Sequence, residues 1–255
     1  HAYTRVRVWG SVGFILPVLA LGFVFESLDI AWLPVFMLSC LFMIFVASLL
    51  VPEGAAGHRH LASVSVWSFL KKPHVLALLG GCFLMQMSHA PYYTFYSVYL
   101  EKSGYSRSFI GNMWALGVIA EVLVFLFMHR LIGHFGLKSL LVVRFILARV
   151  RWLLIGYAVD SVSVLIIAQC LHAASFGIYH ATAIQIIHRY FTGRMQGRGQ
   201  ALYSSISFGA GLSLGSLMVG YSWDALGPVF SFSAAASVAA AGMILVWRGI
   251  TLDCH

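Results

Sequence analysis

At 255 residues, 60% hydrophobic and only 9% charged, the chain has too few charges to coat a water-exposed globule, which takes about 25%, and this excludes a soluble enzyme. A membrane span takes roughly 20 apolar residues, so the length allows about ten spans at most. Sixteen Lys and Arg against eight Asp and Glu give a net charge of +8; no loop interleaves basic with aromatic residues, so the excess reads as basic loops at a lipid bilayer and not as a nucleic-acid surface.

Taken in chain order, the apolar runs end at charges and turn residues. The first two lie at about 8–25 and 30–51, and the longest polar break follows at 52–73, carrying Pro52, Gly54, Gly57 and Pro73. Within it, WSFLKK (67–72) suits an amphipathic helix lying in the membrane interface. Six more runs follow at about 74–100, 108–130, 138–159, 162–190, 199–222 and 228–248. Unpaired backbone groups cannot face hydrocarbon, and these runs lack the alternation of a closed barrel. The expected fold is an all-α polytopic membrane protein with eight transmembrane helices.

The basic residues orient it. With the N-terminus in the cytoplasm, eleven Lys and Arg fall in cytoplasmic segments, and only Lys102 and Arg107 fall outside. Both termini are therefore expected to be cytoplasmic. The four cysteines, Cys40, Cys82, Cys170 and Cys254, form no C-x-x-C pair; a zinc or redox motif is unsupported, and they read as packing residues. No cofactor or metal is expected, and no Walker, paired-Asp or His-Glu-x-x-His motif occurs.

Charges at membrane depth usually face a cavity or a partner. Glu121 is the acidic residue well inside a span, and Arg144, Arg149 and Arg151 share the run at 138–159. Arg144 lies two turns from its cytoplasmic end and is expected to snorkel to the interface. Arg149 and Arg151 point about 200° apart on the helical wheel, so both cannot face one cavity. At about 1.5 Å per residue, Glu121, Arg149, Arg151 and His180 lie at similar depths. A carboxylate, a guanidinium and an imidazole on successive helices form an ion pair and a proton-exchanging group near neutral pH. His172 and His180 read equally well as packed, hydrogen-bonded histidines. Gln86 and His89 precede Pro91, which frees a helix carbonyl, and Tyr92, Tyr93, Phe95 and Tyr96 follow as candidate cavity aromatics.

Gly211-Leu212-Ser213-Leu214-Gly215 has the spacing of a nucleophilic serine motif. An apolar helix lacks the strand–turn–helix that motif needs. The spacing fits close helix packing better than an intramembrane serine hydrolase built on Ser213.

Several stretches resemble one transporter group: TRVRVWGSVGFI (4–15), MSHAPYYTFYSVYLEKSGYS (87–106), MWALGVIAEVLVFLF (113–127), RWLL (151–154) and LHAASFGIYHATAIQIIHRYFTGRMQGRGQALYSSISFGAGLSLGSL (171–217). They are similar to the 3-phenylpropionate permease group of the major facilitator superfamily, related to the proton-coupled sugar symporters. The resemblance implies two six-helix bundles and alternating access. Residues 1–51 would end the N-terminal bundle as family helices 5 and 6, 52–73 would be a cytoplasmic linker, and 74–255 the C-terminal six-helix bundle. Four helices of the family plan would then be absent, and these residues alone are expected not to transport. The resemblance implies symport of a small organic solute, such as an aromatic acid, a sugar or a nucleoside, across the bacterial inner membrane, with the proton gradient as driving force. It favours Arg151 over Arg149 and assigns proton coupling to Glu121, Arg151 and His180. Candidate substrate ligands are His89, Gln86, Tyr93, Tyr96 and His172. Two departures stand out: the acidic residue that sugar symporters carry near the tenth-helix histidine is missing, and the cytoplasmic loop motif reads GHFGLK (133–138), without its Asp-Arg.

Overall fold

The computed structural model describes residues 2–51 and 69–250, and every regular element among them is helical. In chain order these are α1 (Ala2–Ser27), α2 (Leu33–Leu50), α3 (Pro73–Ser88), α4 (Ala90–Lys102), α5 (Arg107–Phe135), α6 (Leu137–Tyr157), α7 (Val162–His172), α8 (Tyr179–Tyr190), α9 (Gln196–Ser204) and α10 (Leu212–Gly249). Most of the polar break expected as a linker, residues 52–68, lies outside the described residues, as does most of WSFLKK.

Among the described residues, five stretches are long and apolar enough to cross a membrane: Trp9–Ser27, Ile30–Leu50, Arg107–Phe127, Val162–Tyr190 and Gln196–Gly249. Two of the expected spans differ for local reasons. The run expected at 74–100 breaks at His89 into α3 and α4, because Pro91 has no N–H to donate and its ring crowds the turn before it. The run expected at 138–159 forms one helix, α6, but carries Lys138, Arg144, Arg149 and Arg151.

The last stretch is a hairpin. Gly227 takes φ 78° and ψ 174°, a backbone that L side chains rarely adopt, and Pro228 follows. Gly211 and Gly215 lie against Phe83 and Met87, while Gly242 and Gly249 lie against Leu84 and Ala77. Residue numbers rise together along the first arm and oppose one another along the second, so the two arms run antiparallel on α3. The core forms where these arms meet α3 and α6, around Leu78, Met85, Phe145, Trp152, Phe232 and Val246.

In Gly-x-Ser-x-Gly, the two glycines pack and the serine does not. A Cβ on Gly215 would sit 2.7 Å from the Met87 carbonyl oxygen and 2.8 Å from the Ala90 Cβ. Ser213 is exposed. Gly215→Val is expected to lower the melting temperature by several degrees, as overpacking costs about 1–3 kcal/mol. Gly220→Ala, placed in open space, should leave it within about 1 °C. Equal thermal unfolding of the two variants would contradict this packing.

α1 lies along α5. A Cβ on Gly22 would come within 3.1 Å of the Arg107 carbonyl oxygen, and one on Gly111 within 2.8 Å of the Val18 carbonyl oxygen. Just beyond, Glu26 accepts from the Ser108 backbone N–H at 2.9 Å, and Arg107 Nη1 donates to the Phe25 carbonyl at 2.8 Å. The Glu26 carboxylate thus satisfies an otherwise unpaired N–H at the start of a neighbouring helix. No residue of α2 is buried, as expected of a helix that is apolar all round and faces lipid or further helices.

Two π turns, Ala173–Ile178 between α7 and α8 and Ser205–Gly211 between α9 and α10, break the helical register. Such turns recur at functional sites.

Candidate functional site

The break at His89 aims a row of side chains into the bundle. His89 Nδ1 lies 2.8 Å from the Met85 carbonyl, and the ring meets Trp152 edge-on at 4.9 Å. One turn later Tyr92 is fully buried and Tyr93 half-buried, and two turns later Tyr96 is fully buried.

Arg151 of α6 covers this row. Its guanidinium lies 4.0 Å over the Tyr92 ring. Nε donates to the Ala168 carbonyl at 2.9 Å and Nη2 to Gln169 Oε1 at 3.3 Å. The Tyr92 hydroxyl donates to the same Gln169 oxygen at 3.0 Å. One amide oxygen on α7 therefore holds both partners of a cation–π pair. Around it, buried polar atoms lack a hydrogen-bond partner among the described residues: Arg151 Nη1, Gln169 Nε2, Tyr96 Oη, His89 Nε2, His172 Nδ1 and both side-chain polar atoms of Gln86. Buried polar groups are normally satisfied, so this concentration marks a place where a ligand would supply the partners.

In front of this layer lies a cavity of about 710 Å³, lined by Gly10, Ser11, Phe14 and Val18 of α1, and by Tyr93, Trp114, Val118, Glu121, His172 and Phe176. Its size suits a small organic molecule, and its walls are largely aromatic. Glu121 is the acidic residue among them. Its Cγ lies 3.0 Å from where a Cβ would stand on Gly177, so the glycine of the first π turn makes room for the carboxylate stem. Gly117 does the same for Gln169 and His172, at 3.3 and 3.4 Å.

The predicted residues fall into three groups. Glu121, His172 and Tyr93 line the cavity. Arg151, His89, Gln86 and Tyr96 form the fully buried layer behind it. His180 stands beyond Phe176, with Nδ1 3.2 Å from the Tyr203 hydroxyl. Glu121 and His172 share one cavity wall, and the hydrogen bonds of Arg151 go to α7. Arg151 faces the bundle and Arg149 faces outward. The snorkelling expected of Arg144 does not occur: Arg144 is fully buried, 3.5 Å over the Tyr179 ring. Sequence reading missed Trp114, Phe14 and Gly10-Ser11 as lining residues. The small Gly10-Ser11 pair was the available signal, because it leaves space beside a helix.

Comparison with known proteins agrees with this architecture. A family model described as "MFS_1 like family" matches residues 1–234. The chain is 31% identical over 232 residues to a "Probable 3-phenylpropionic acid transporter" of Escherichia coli (strain K12), covering 88% of this chain and 60% of that protein. It is 28% identical over 239 residues to a "Maltose permease" of Geobacillus stearothermophilus, covering 90% of this chain and 59% of the permease. The chain thus spans about 60% of the length of these relatives. The fold is similar to that of the nucleoside transporter NupG, with a TM-score of 0.74 and 14% identity, over 96% of this chain and 66% of that one.

Proposed function

The chain belongs to the MFS_1 like family of major facilitator transporters, and from that premise we propose that it serves proton-coupled uptake of a small aromatic acid by alternating access. It is an integral membrane protein, with helices long and apolar enough to span a bilayer. The reading is carried by one observation: a cluster of unpartnered buried polar atoms around Tyr92, Arg151 Nη1 among them, set directly behind an aromatic cavity. An acid with a ring fits both halves. The ring would lie among Tyr93, Trp114, Phe14 and Phe176, and the carboxylate would meet the open Nη1 of Arg151 through a charge-assisted bond.

In this reading Glu121 takes up the coupled proton. His172 and Tyr93 share its cavity wall, and His180, one π turn away, is reached through Phe176. The protein sits in the bacterial inner membrane with both termini cytoplasmic. The clasp of Gly22, Glu26, Arg107 and Gly111 then closes the outer end, and the cavity lies on its cytoplasmic side. The open amides of Gln86 and Gln169 also suit hydroxyl groups, which supports a second reading, a sugar or nucleoside symporter.

The test is uptake of labelled 3-phenylpropionate by the full-length protein in proteoliposomes under an imposed pH gradient. Glu121→Gln is expected to lower gradient-driven uptake at least tenfold, about 1.4 kcal/mol, and to flatten its pH dependence. Wild-type pH dependence in Glu121→Gln would remove the carboxylate from proton coupling. A preference for maltose or uridine over the acid would favour the second reading.

A further inference from the structure

Two turns before Arg151, a second arginine reaches into the same bundle. Helix α6 carries Arg144-Phe145 and Arg151-Trp152, two arginine–aromatic pairs seven residues apart and therefore about 10.5 Å apart along the axis. Each guanidinium lies over a tyrosine of another helix, Arg144 over Tyr179 at 3.5 Å and Arg151 over Tyr92 at 4.0 Å. The two shelves differ in one respect. Arg151 has acceptors on α7 for Nε and Nη2. Arg144 is fully buried, and its Nε, Nη1 and Nη2 have no hydrogen-bond partner among the described residues. Its guanidinium lies over two aromatic rings, Tyr179 at 3.5 Å and Phe145 at 4.8 Å.

Two other orphaned groups lie on α3 and on the π turn packed against it. The Tyr179 hydroxyl, on the ring beneath Arg144, donates to the Cys82 carbonyl at 3.3 Å, and Gln86 stands one turn beyond Cys82 on α3. Gln86 is fully buried, with Oε1 and Nε2 both unpartnered. Ser207 is fully buried with Oγ unpartnered, in the π turn that meets α3 where Gly211 abuts the Phe83 carbonyl. A buried guanidinium without a counterion is strongly unfavourable, and inside a membrane such a charge marks an ion or substrate path.

We propose that Arg144, Gln86 and Ser207 form a second anion-binding site, for a small carboxylate. The planar guanidinium matches the two carboxylate oxygens, and the Gln86 amide and Ser207 hydroxyl add donors. His180 links the site to the cavity: it bonds Tyr203 at 3.2 Å and stacks on Phe176 of the cavity wall at 6.5 Å. As a station for the transported acid beyond Arg151, the site rests on the transport reading; as a carboxylate site it does not.

The experiment is thermal unfolding of the purified protein in sodium acetate against sodium chloride at equal ionic strength. Acetate at ten times its Kd is expected to raise the midpoint by roughly 3 °C or more. The shift should shrink at least threefold in Arg144→Met and in Gln86→Leu, and persist in Gly220→Ala, which adds a methyl in open space. A full acetate shift in Arg144→Met, or none in the wild type, overturns the site, and an equal shift with chloride overturns its carboxylate assignment. If Arg144→Met does not fold, Gln86→Leu and Ser207→Ala carry the test, and wild-type responses in both reject the proposal. A protein that responds to acetate but takes up no labelled acid keeps this site and loses the transport reading.

Discussion

Arg151→Met is expected to abolish uptake of 3-phenylpropionate, by at least about 100-fold or 2.7 kcal/mol, while leaving the melting temperature unchanged or raised. The two signs have different causes. Arg151 is a fully buried charge, and replacing such a group with an apolar side chain of similar volume is often neutral or stabilising. Its guanidinium also joins the Ala168 carbonyl, Gln169 Oε1 and the Tyr92 ring, and it offers Nη1 to the proposed carboxylate. Methionine keeps the volume and loses all of these. Arg151→Lys should recover less than a tenth of wild-type uptake, because an ammonium cannot span both acceptors and still present a planar edge. A lysine variant with near-normal uptake would show that only the charge matters. A methionine variant that loses uptake and stability together would make Arg151 a structural residue.

Gly111→Val is expected to cut uptake at least about 20-fold, 1.8 kcal/mol, by keeping α1 and α5 apart. A Cβ on Gly111 would lie 2.8 Å from the Val18 carbonyl and 3.4 Å from the Gly22 Cα. Both neighbours are backbone, so neither yields by a rotamer change. Separation also breaks the Glu26–Ser108 and Arg107–Phe25 hydrogen bonds at the same end. Glu26→Gln should be milder, about two- to threefold, since the amide oxygen still accepts from the Ser108 N–H. The reporter is a cysteine at Val18, which borders both the cavity and the clasp, in a background with the native cysteines replaced by serine. An impermeant maleimide added outside should label it several-fold faster in Gly111→Val. Unchanged labelling and uptake would mean that this pairing plays no part in closure.

Much of this was legible in the chain itself. The membrane class follows from 9% charge and from a bilayer that accepts only internally satisfied backbone. Glu121 is an acidic residue in an apolar run, and it lines the cavity. Arg149 and Arg151 were separable because helical spacing turns them to opposite sides, and Arg149 is exposed where Arg151 is buried. That Glu121 and His172 would line one cavity was not legible. A straight helix over 162–190 gives no reason to prefer either histidine. The π turn at Ala173–Ile178 rotates His180 toward Tyr203, and Gly177 within it makes room for the Glu121 stem.

Arg144 marks the boundary between the two kinds of knowledge. From the sequence, its distance to the helix end is one coordinate, and on that coordinate snorkelling is the cheaper outcome. In the folded bundle a second coordinate decides, the direction around the helix axis relative to neighbouring helices, and it sends the guanidinium inward onto Tyr179. By itself the sequence determined that the chain is helical, how deep each charge lies and which residues are costly to bury, because periodicity and hydropathy are local. Only the tertiary structure decided which of those residues share an environment, because azimuth between helices is set by close packing at glycines such as Gly111, Gly177 and Gly215 and not by any one segment.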